Sequence, residues 1–291
     1  MPVSPVRDEY VIAGDLTFHY IQWGEQGPPI ICAHGLTANA YCFQALADEL
    51  SSTHRVFAYD LRGRGDSDKP ESGYSLSIHA NDLAEIIDAL ELDRPVIMGH
   101  SLGAMIALYF AAHHPENLCK LVLVDAGGQL SWHTIEEQPL WLTISISRLG
   151  TPVASYDEYI QRLKMAPFLS SSWNEYLDIY FEHDVYRQHD GSVISKCYPA
   201  GVHEDQISTF DEYKPETLWQ RIQSPTLLLR AGQEILTPND QLLTEAGAEA
   251  VHHSIRHCQY INYPELNHYT IVFLAGNGPA QDIRSFVDLD R

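Results

Sequence analysis

Five residues, Gly99-His100-Ser101-Leu102-Gly103, stand between a short apolar run, Val96-Ile97-Met98, and a longer stretch, Leu102 to Ala112, that is apolar almost all round. The first run reads as a strand covered on both faces, the second as a buried helix stopped by Pro115. A strand that becomes a helix within so few residues must bend sharply at Ser101, in a strained backbone conformation, and glycines two positions to either side give the chain room to pass. Such a turn belongs to a parallel sheet crossed by helices. It exposes the Ser101 hydroxyl at the carboxyl edge of the sheet, with a helix N-terminus behind it to favour a developing oxyanion. A serine that merely caps the helix in a Gly-rich turn is the plainer alternative.

The rest of the chain supplies the sheet. Two β-rich runs between Asp8 and Trp23, split by Ala13-Gly14-Asp15, form a hairpin pattern. Ile30-Ile31-Cys32-Ala33, the run from Arg55 to Tyr59, Lys120 to Val124 and Pro225 to Arg230 are short apolar strands, with Gln259 to Asn262 a weaker last one. Leu83, Ile86, Ile87 and Leu90 sit at helical spacing between two of them. This alternation predicts an α/β fold, a mostly parallel eight-stranded sheet flanked by helices and joined by right-handed crossovers. Between residues 127 and 222 the alternation fails, with helical patterns and no convincing strand. The expected division is therefore a core of residues 1–126 and 223–291, and a helical cap of 127–222 inserted after the sixth strand. The cap holds 14 of the 30 aromatic residues, enough to pack itself and to roof a partly apolar pocket.

Composition narrows the function. With 18 Lys plus Arg against 39 Asp plus Glu, the net charge is −21, and no basic stripe opposes it. Phosphate backbones and anionic lipid surfaces are disfavoured, so neither a nucleic acid nor a membrane is expected as partner. Five widely spaced cysteines without a CxxC pair argue against a disulfide framework and a thiolate zinc site. Residues 1–10 carry two prolines and no apolar signal-peptide core, and no run of about 18 apolar residues spans the chain. A soluble, cytoplasmic protein is the expectation; oligomeric state leaves no sequence signal.

Taken with its setting, the elbow at Ser101 resembles that of the α/β-hydrolase fold superfamily, in its capped, serine esterase and lactonase-like group. His34-Gly35-Leu36-Thr37, after the third strand, matches that family's oxyanion loop, and Asp60 to Ser67 matches its loop after the fourth strand. The resemblance implies Ser101 as nucleophile and an oxyanion hole formed by the backbone N–H groups of Leu36 and Leu102. His34, Gly35, His100 and Thr37 are expected around the substrate. A serine of ordinary pKa needs a base. Of 15 histidines, His268, after the last strand in Pro264 to Thr270, occupies the family's position for it, and none forms a metal-binding spacing.

The orienting acid is open. The loop after the seventh strand, where most members carry an Asp, is one residue short here and offers Glu234; Asp125, at the end of the sixth strand, and Asp240 are the rivals. The implied activity is ester or lactone hydrolysis through an acyl-enzyme, with no cofactor and no metal. Carbon–carbon bond hydrolysis of ring-cleavage products, cofactor-free dioxygenation and hydroxynitrile lyase chemistry use the same parts. A ligand receptor that keeps the fold without turnover is the non-enzymatic alternative. The cap carries seven Lys and Arg against 14 Asp and Glu, which favours a neutral, partly apolar substrate over a polyanion.

Overall fold

The apolar runs of the sequence become adjacent strands of one sheet in a computed structural model that describes residues 2–289. The strands are β1 (Arg7–Ala13), β2 (Leu16–Trp23), β3 (Pro29–Ala33), β4 (Arg55–Tyr59), β5 (Val96–His100) and β6 (Lys120–Val124), then β9 (Thr226–Ala231) and β10 (Cys258–Tyr263). Their order across the sheet is β1-β2-β4-β3-β5-β6-β9-β10. The β1–β2 hairpin pairs antiparallel, β2 pairs antiparallel with β4, and every other neighbour is parallel. Strands β3, β5 and β9 are buried along their whole length, as continuous apolar runs require when helices cover both faces. Strand β10 lies at the sheet edge and is half-buried, which is why its apolar signal is the weakest of the set.

Helices α1 (Gln44–Leu50), α2 (Leu76–Ala89) and α3 (Leu102–His113) connect the first six strands. The apolar side of α2, including Leu83, Ile86 and Ile87, is buried, and α2 packs on α3, which is buried almost throughout. Helices α10 (Glu245–Ser254), α11 (Thr270–Phe273) and α12 (Pro279–Asp288) complete the layers around β9 and β10.

Between β6 and β9 lie α4 (Leu140–Ser147), α5 (Tyr156–Lys164), α6 (Pro167–Ser170), α7 (Glu175–Glu182), α8 (Pro199–Glu212) and α9 (Pro215–Trp219). The same stretch also contains a two-stranded antiparallel hairpin, β7 (Val185–Arg187) with β8 (Val193–Ser195). The sequence reading found no strand here. Three residues per strand are too few to show a period of two, and the signal that remains is the Asp190-Gly191 pair in the turn, where Gly191 takes φ 85°.

Two cations, Arg64 fully buried and Arg148 partly buried, tie this segment to the sheet. The Arg64 guanidinium, from the loop after β4, donates to Asp205 of α8 at 2.5 Å, and His79 of α2 bonds the other oxygen of Asp205 at 2.8 Å. Arg148, just past α4, donates to Asp184 at 2.6 Å and to the Thr37 carbonyl at 2.7 Å. All five cysteines are free thiols, and no described helix is long and apolar enough to cross a membrane.

Candidate active site

Ser101 sits at the carboxyl end of β5, immediately before α3, with φ 58° and ψ −123°. That is backbone an L-residue rarely adopts, and the surroundings hold it there. The Ser101 N–H donates to the Val124 carbonyl at 3.2 Å, tying the elbow to the end of β6. A Cβ on Gly103 would lie 1.9 Å from the Ala33 carbonyl oxygen, and one on Gly99 would lie 2.1 Å from that of Gly103. The two glycines of the motif are therefore required by the passage of one chain against another.

The loop from His34 to Ala38 lies against this turn. A Cβ on Gly35 would stand 3.5 Å from Ser101 Oγ, so the loop backbone passes beside the hydroxyl. Arg64 Nε donates to the Leu36 carbonyl at 3.0 Å, and the Ala38 N–H to the Gly35 carbonyl at 3.1 Å, fixing the loop's course. Leu102 is the first residue of α3, so its N–H has no intrahelical acceptor.

His268 follows β10 and is buried. Its Nδ1 lies 2.7 Å from Asp125 Oδ2, although the two residues are 143 positions apart. Asp125 directly follows β6 with φ 51°, a further strained position. Its Oδ1 accepts the Ala231 N–H at 2.8 Å, and its own backbone N–H donates to the Leu229 carbonyl at 2.7 Å, so β9 holds both the carboxyl and the backbone of Asp125. Burial pushes the imidazole of His268 down to about 3 and leaves the ring neutral, with one nitrogen a donor and the other an acceptor. Burial raises the Asp125 carboxyl to about 7, against the opposing pull of the Ala231 N–H and of nearby His100 and Arg230.

The other two candidate acids are occupied elsewhere. Glu234 is exposed and accepts the Asn239 N–H at 2.9 Å. Asp240 accepts the N–H groups of Ile235, Leu236 and Thr237 and so shapes the loop after β9. Of the three, Asp125 is the one bonded to His268.

His34 and His100 differ in placement. His100 lines the cavity beside Ser101 and donates from Nε2 to the His268 carbonyl at 2.9 Å; burial lowers it to about 3. His34, expected beside the substrate, is instead fully buried under the loop. Its Nδ1 donates to the Gly35 carbonyl at 2.8 Å and its Nε2 accepts the Leu61 N–H at 3.0 Å, which leaves neither nitrogen for a ligand. Sequence spacing does not separate it from its neighbours, because Gly35 to Ala38, which line the cavity, follow His34 directly.

The cavity holds about 350 Å³ and is lined chiefly by apolar and aromatic side chains, with Gly35, Leu36, Thr37, Ser101 and His268 along one wall. Among the lining residues are three to which the sequence assigned no role at the site. Trp141 and Tyr269 stand at ring-centre distances of 5.1 Å and 5.6 Å from His268, and Arg148 is the partly buried cation paired with Asp184. The aromatic richness of the cap was the available signal for Trp141; nothing in the sequence pairs Arg148 with Asp184.

One His/Asp group among the described residues gathers three possible ligand atoms within 4.8 Å: His19, Asp60 and Asp66. His19 spends one nitrogen on Asp60 and the other on Asp8, both at 2.7 Å, and Asp66 is bonded to Lys196. The set is an internal charge network beneath the Asp60 loop.

Sheet order, strained serine elbow and buried His–Asp pair are the features of one class of protein. The model of the alpha/beta hydrolase fold family matches residues 28–272, and the chain belongs to that family. Among its relatives, it is 37% identical over 112 residues to a 2-(acetamidomethylene)succinate hydrolase of Mesorhizobium japonicum, covering 38% of this chain and 40% of that protein. It is 29% identical over 207 residues to a cis-3-alkyl-4-alkyloxetan-2-one decarboxylase of Shewanella oneidensis, covering 62% of this chain and 63% of the relative. Both matches span less than two thirds of the relative's length. Among solved structures, an E-2-(acetamidomethylene)succinate hydrolase superposes with a TM-score of 0.84 at 21% identity over 97% of this chain and 99% of the other. An esterase from Thermogutta terrifontis superposes with a TM-score of 0.71 at 20% identity, over 97% and 98% of the two chains.

Proposed function

We propose that this protein is a serine hydrolase that cleaves a carboxylic ester or lactone through an acyl-enzyme, with Ser101 as nucleophile, His268 as base and Asp125 as the orienting acid. The observation that carries the reading is the 2.7 Å bond from His268 to Asp125 in the wall of the cavity that Ser101 also lines. With Nδ1 donating to Asp125, the neutral ring keeps its Nε2 lone pair to take the Ser101 proton. Ser101 Oγ attacks the carbonyl carbon, and the oxyanion is met by the N–H groups of Leu36 and Leu102. The imidazolium then gives its proton to the leaving oxygen, and water releases the acid in the reverse sequence. No cofactor or metal enters this scheme.

The substrate is proposed to be neutral and partly apolar. The cavity wall is mostly apolar, and the charge of Arg148 is offset by Asp184. The same His268–Asp125 pair would also serve a cofactor-free dioxygenase, which oxygen uptake distinguishes. The direct test is intact-mass detection of a fluorophosphonate adduct, followed by turnover of p-nitrophenyl esters. The native protein is expected to take one adduct; Ser101→Ala is expected to take none and to lose about 10⁴ to 10⁶ in kcat. Near-normal esterase activity in Ser101→Ala would overturn the mechanism.

A further inference from the structure

Two cavities end at Ser101. The larger is the one already described and carries His268, Tyr269 and Arg148 in its wall. The smaller holds about 60 Å³ and is walled by Leu102, Met105, Leu130, Trp132, Phe210 and Leu242. Leu36, Ser101, Trp141 and Leu142 line both, so the indole of Trp141, with Leu142, forms the partition between them. That indole is fixed. Its Nε1–H donates to the Asp240 carbonyl at 2.9 Å, its ring meets Tyr269 edge-on at 5.9 Å, and the side chain is buried.

We propose that Trp141 is a specificity-determining residue that parts the substrate at Ser101, with a short apolar acyl chain in the small chamber and a bulkier alcohol portion in the large one. This rests on the serine-hydrolase reading above. The assignment of sides follows from the path of the proton. When Ser101 Oγ bonds to the acyl carbon and the ester C–O bond breaks, His268 must hand the serine's proton to the departing alcohol oxygen, so the alcohol lies on the side His268 lines. His268 lines the large chamber and, among the described residues, not the small one. The acyl group stays on Ser101 until water displaces it, and the space left to it is the small chamber. At about 10–15 Å³ per water-sized group, that space takes an acyl chain of roughly four carbons. Apart from Ser101, Gln206 and Thr209 its walls are apolar, which calls for an aliphatic chain.

The experiment is a two-way ester panel on the whole protein. With p-nitrophenyl esters, kcat/KM is expected to peak between acetate and butyrate and to fall about tenfold or more at octanoate. With acetate esters of ethanol, benzyl alcohol and naphthol, larger alcohols are expected to be retained. Trp141→Ala joins the chambers and should raise the octanoate-to-butyrate ratio about tenfold. Because Trp141 also stands beside His268, a second variant, Met105→Phe, fills only the small chamber; it should shift the preference to acetate and lower the butyrate-to-acetate ratio about tenfold. A native optimum at octanoate, or a profile unchanged in both variants, would overturn the proposal. Adduct formation at Ser101 with a flat acyl profile removes the chamber assignment and leaves the hydrolase reading standing, whereas absence of both adduct and ester turnover removes both.

Discussion

At the scale of single residues, the acid is where the chemistry is most exposed to test. Asp125→Asn should lower kcat/KM for p-nitrophenyl acetate at neutral pH by about 10³ to 10⁴, because the carboxamide no longer selects the productive tautomer of His268 or stabilises its imidazolium. Glu234→Gln should stay within about threefold, since Glu234 serves only the Asn239 N–H and a glutamine oxygen can accept the same bond. Equal, small losses in both variants would mean that the acid lies elsewhere. Ser101 was legible because its constraints are local: a strand, two glycines and a helix within a few residues. The pairing of Asp125 with His268 was not, because the two meet through the sheet across 143 positions, and no spacing rule connects them. His34 shows the converse failure, since adjacency in sequence to Gly35 did not bring its ring to the cavity.

At the scale of elements, the strands were readable wherever both faces are covered, and least so at the half-buried edge strand β10 and in the β7–β8 hairpin. The helical segment between β6 and β9 is visible in the sequence as a loss of alternation, but its attachment is not, because α8 is held by Asp205 reaching Arg64 across 141 positions. Asp205→Asn removes the charge that compensates a fully buried guanidinium and leaves His79 a weaker partner. Breaking one side of such a pair costs about 3–5 kcal/mol, so urea denaturation should show a midpoint lowered accordingly. An unchanged midpoint would mean that Arg64 finds water or another acceptor once Asp205 is neutral.

Over the whole molecule, the buried histidines set the dependence of stability on pH. His34, His100 and His268 are pushed down by burial to about 4, 3 and 3. For each, the unfolded chain binds a proton below about 6.5 that the folded chain refuses, so their stabilisation is complete above 6.5 and lost as pH falls toward 4 and below. Asp125, raised by burial to about 7, has the opposite sign between about 4 and 7 and removes part of this slope. His19 differs again: burial lowers it, but its bonds to Asp60 and Asp8 outweigh that and raise it to about 9. Its contribution is full below 6.5 and lost as pH rises through 9. Unfolding free energy should therefore peak near neutrality, fall steeply toward pH 4 and fall gently toward pH 9. His19→Gln should flatten the alkaline side while leaving the acid side, and equilibrium denaturation at a series of pH values reads both.

The chain order of the site has a consequence in time. Ser101 directly follows the fifth strand, whereas its proposed base follows the tenth, so synthesis from the N-terminus finishes the elbow 167 residues before His268 exists. At roughly 5–20 residues per second, the nascent chain carries an unactivated serine for on the order of ten to thirty seconds. On the proposed mechanism the serine is thus armed only after all eight strands of the sheet, β10 included, have been made.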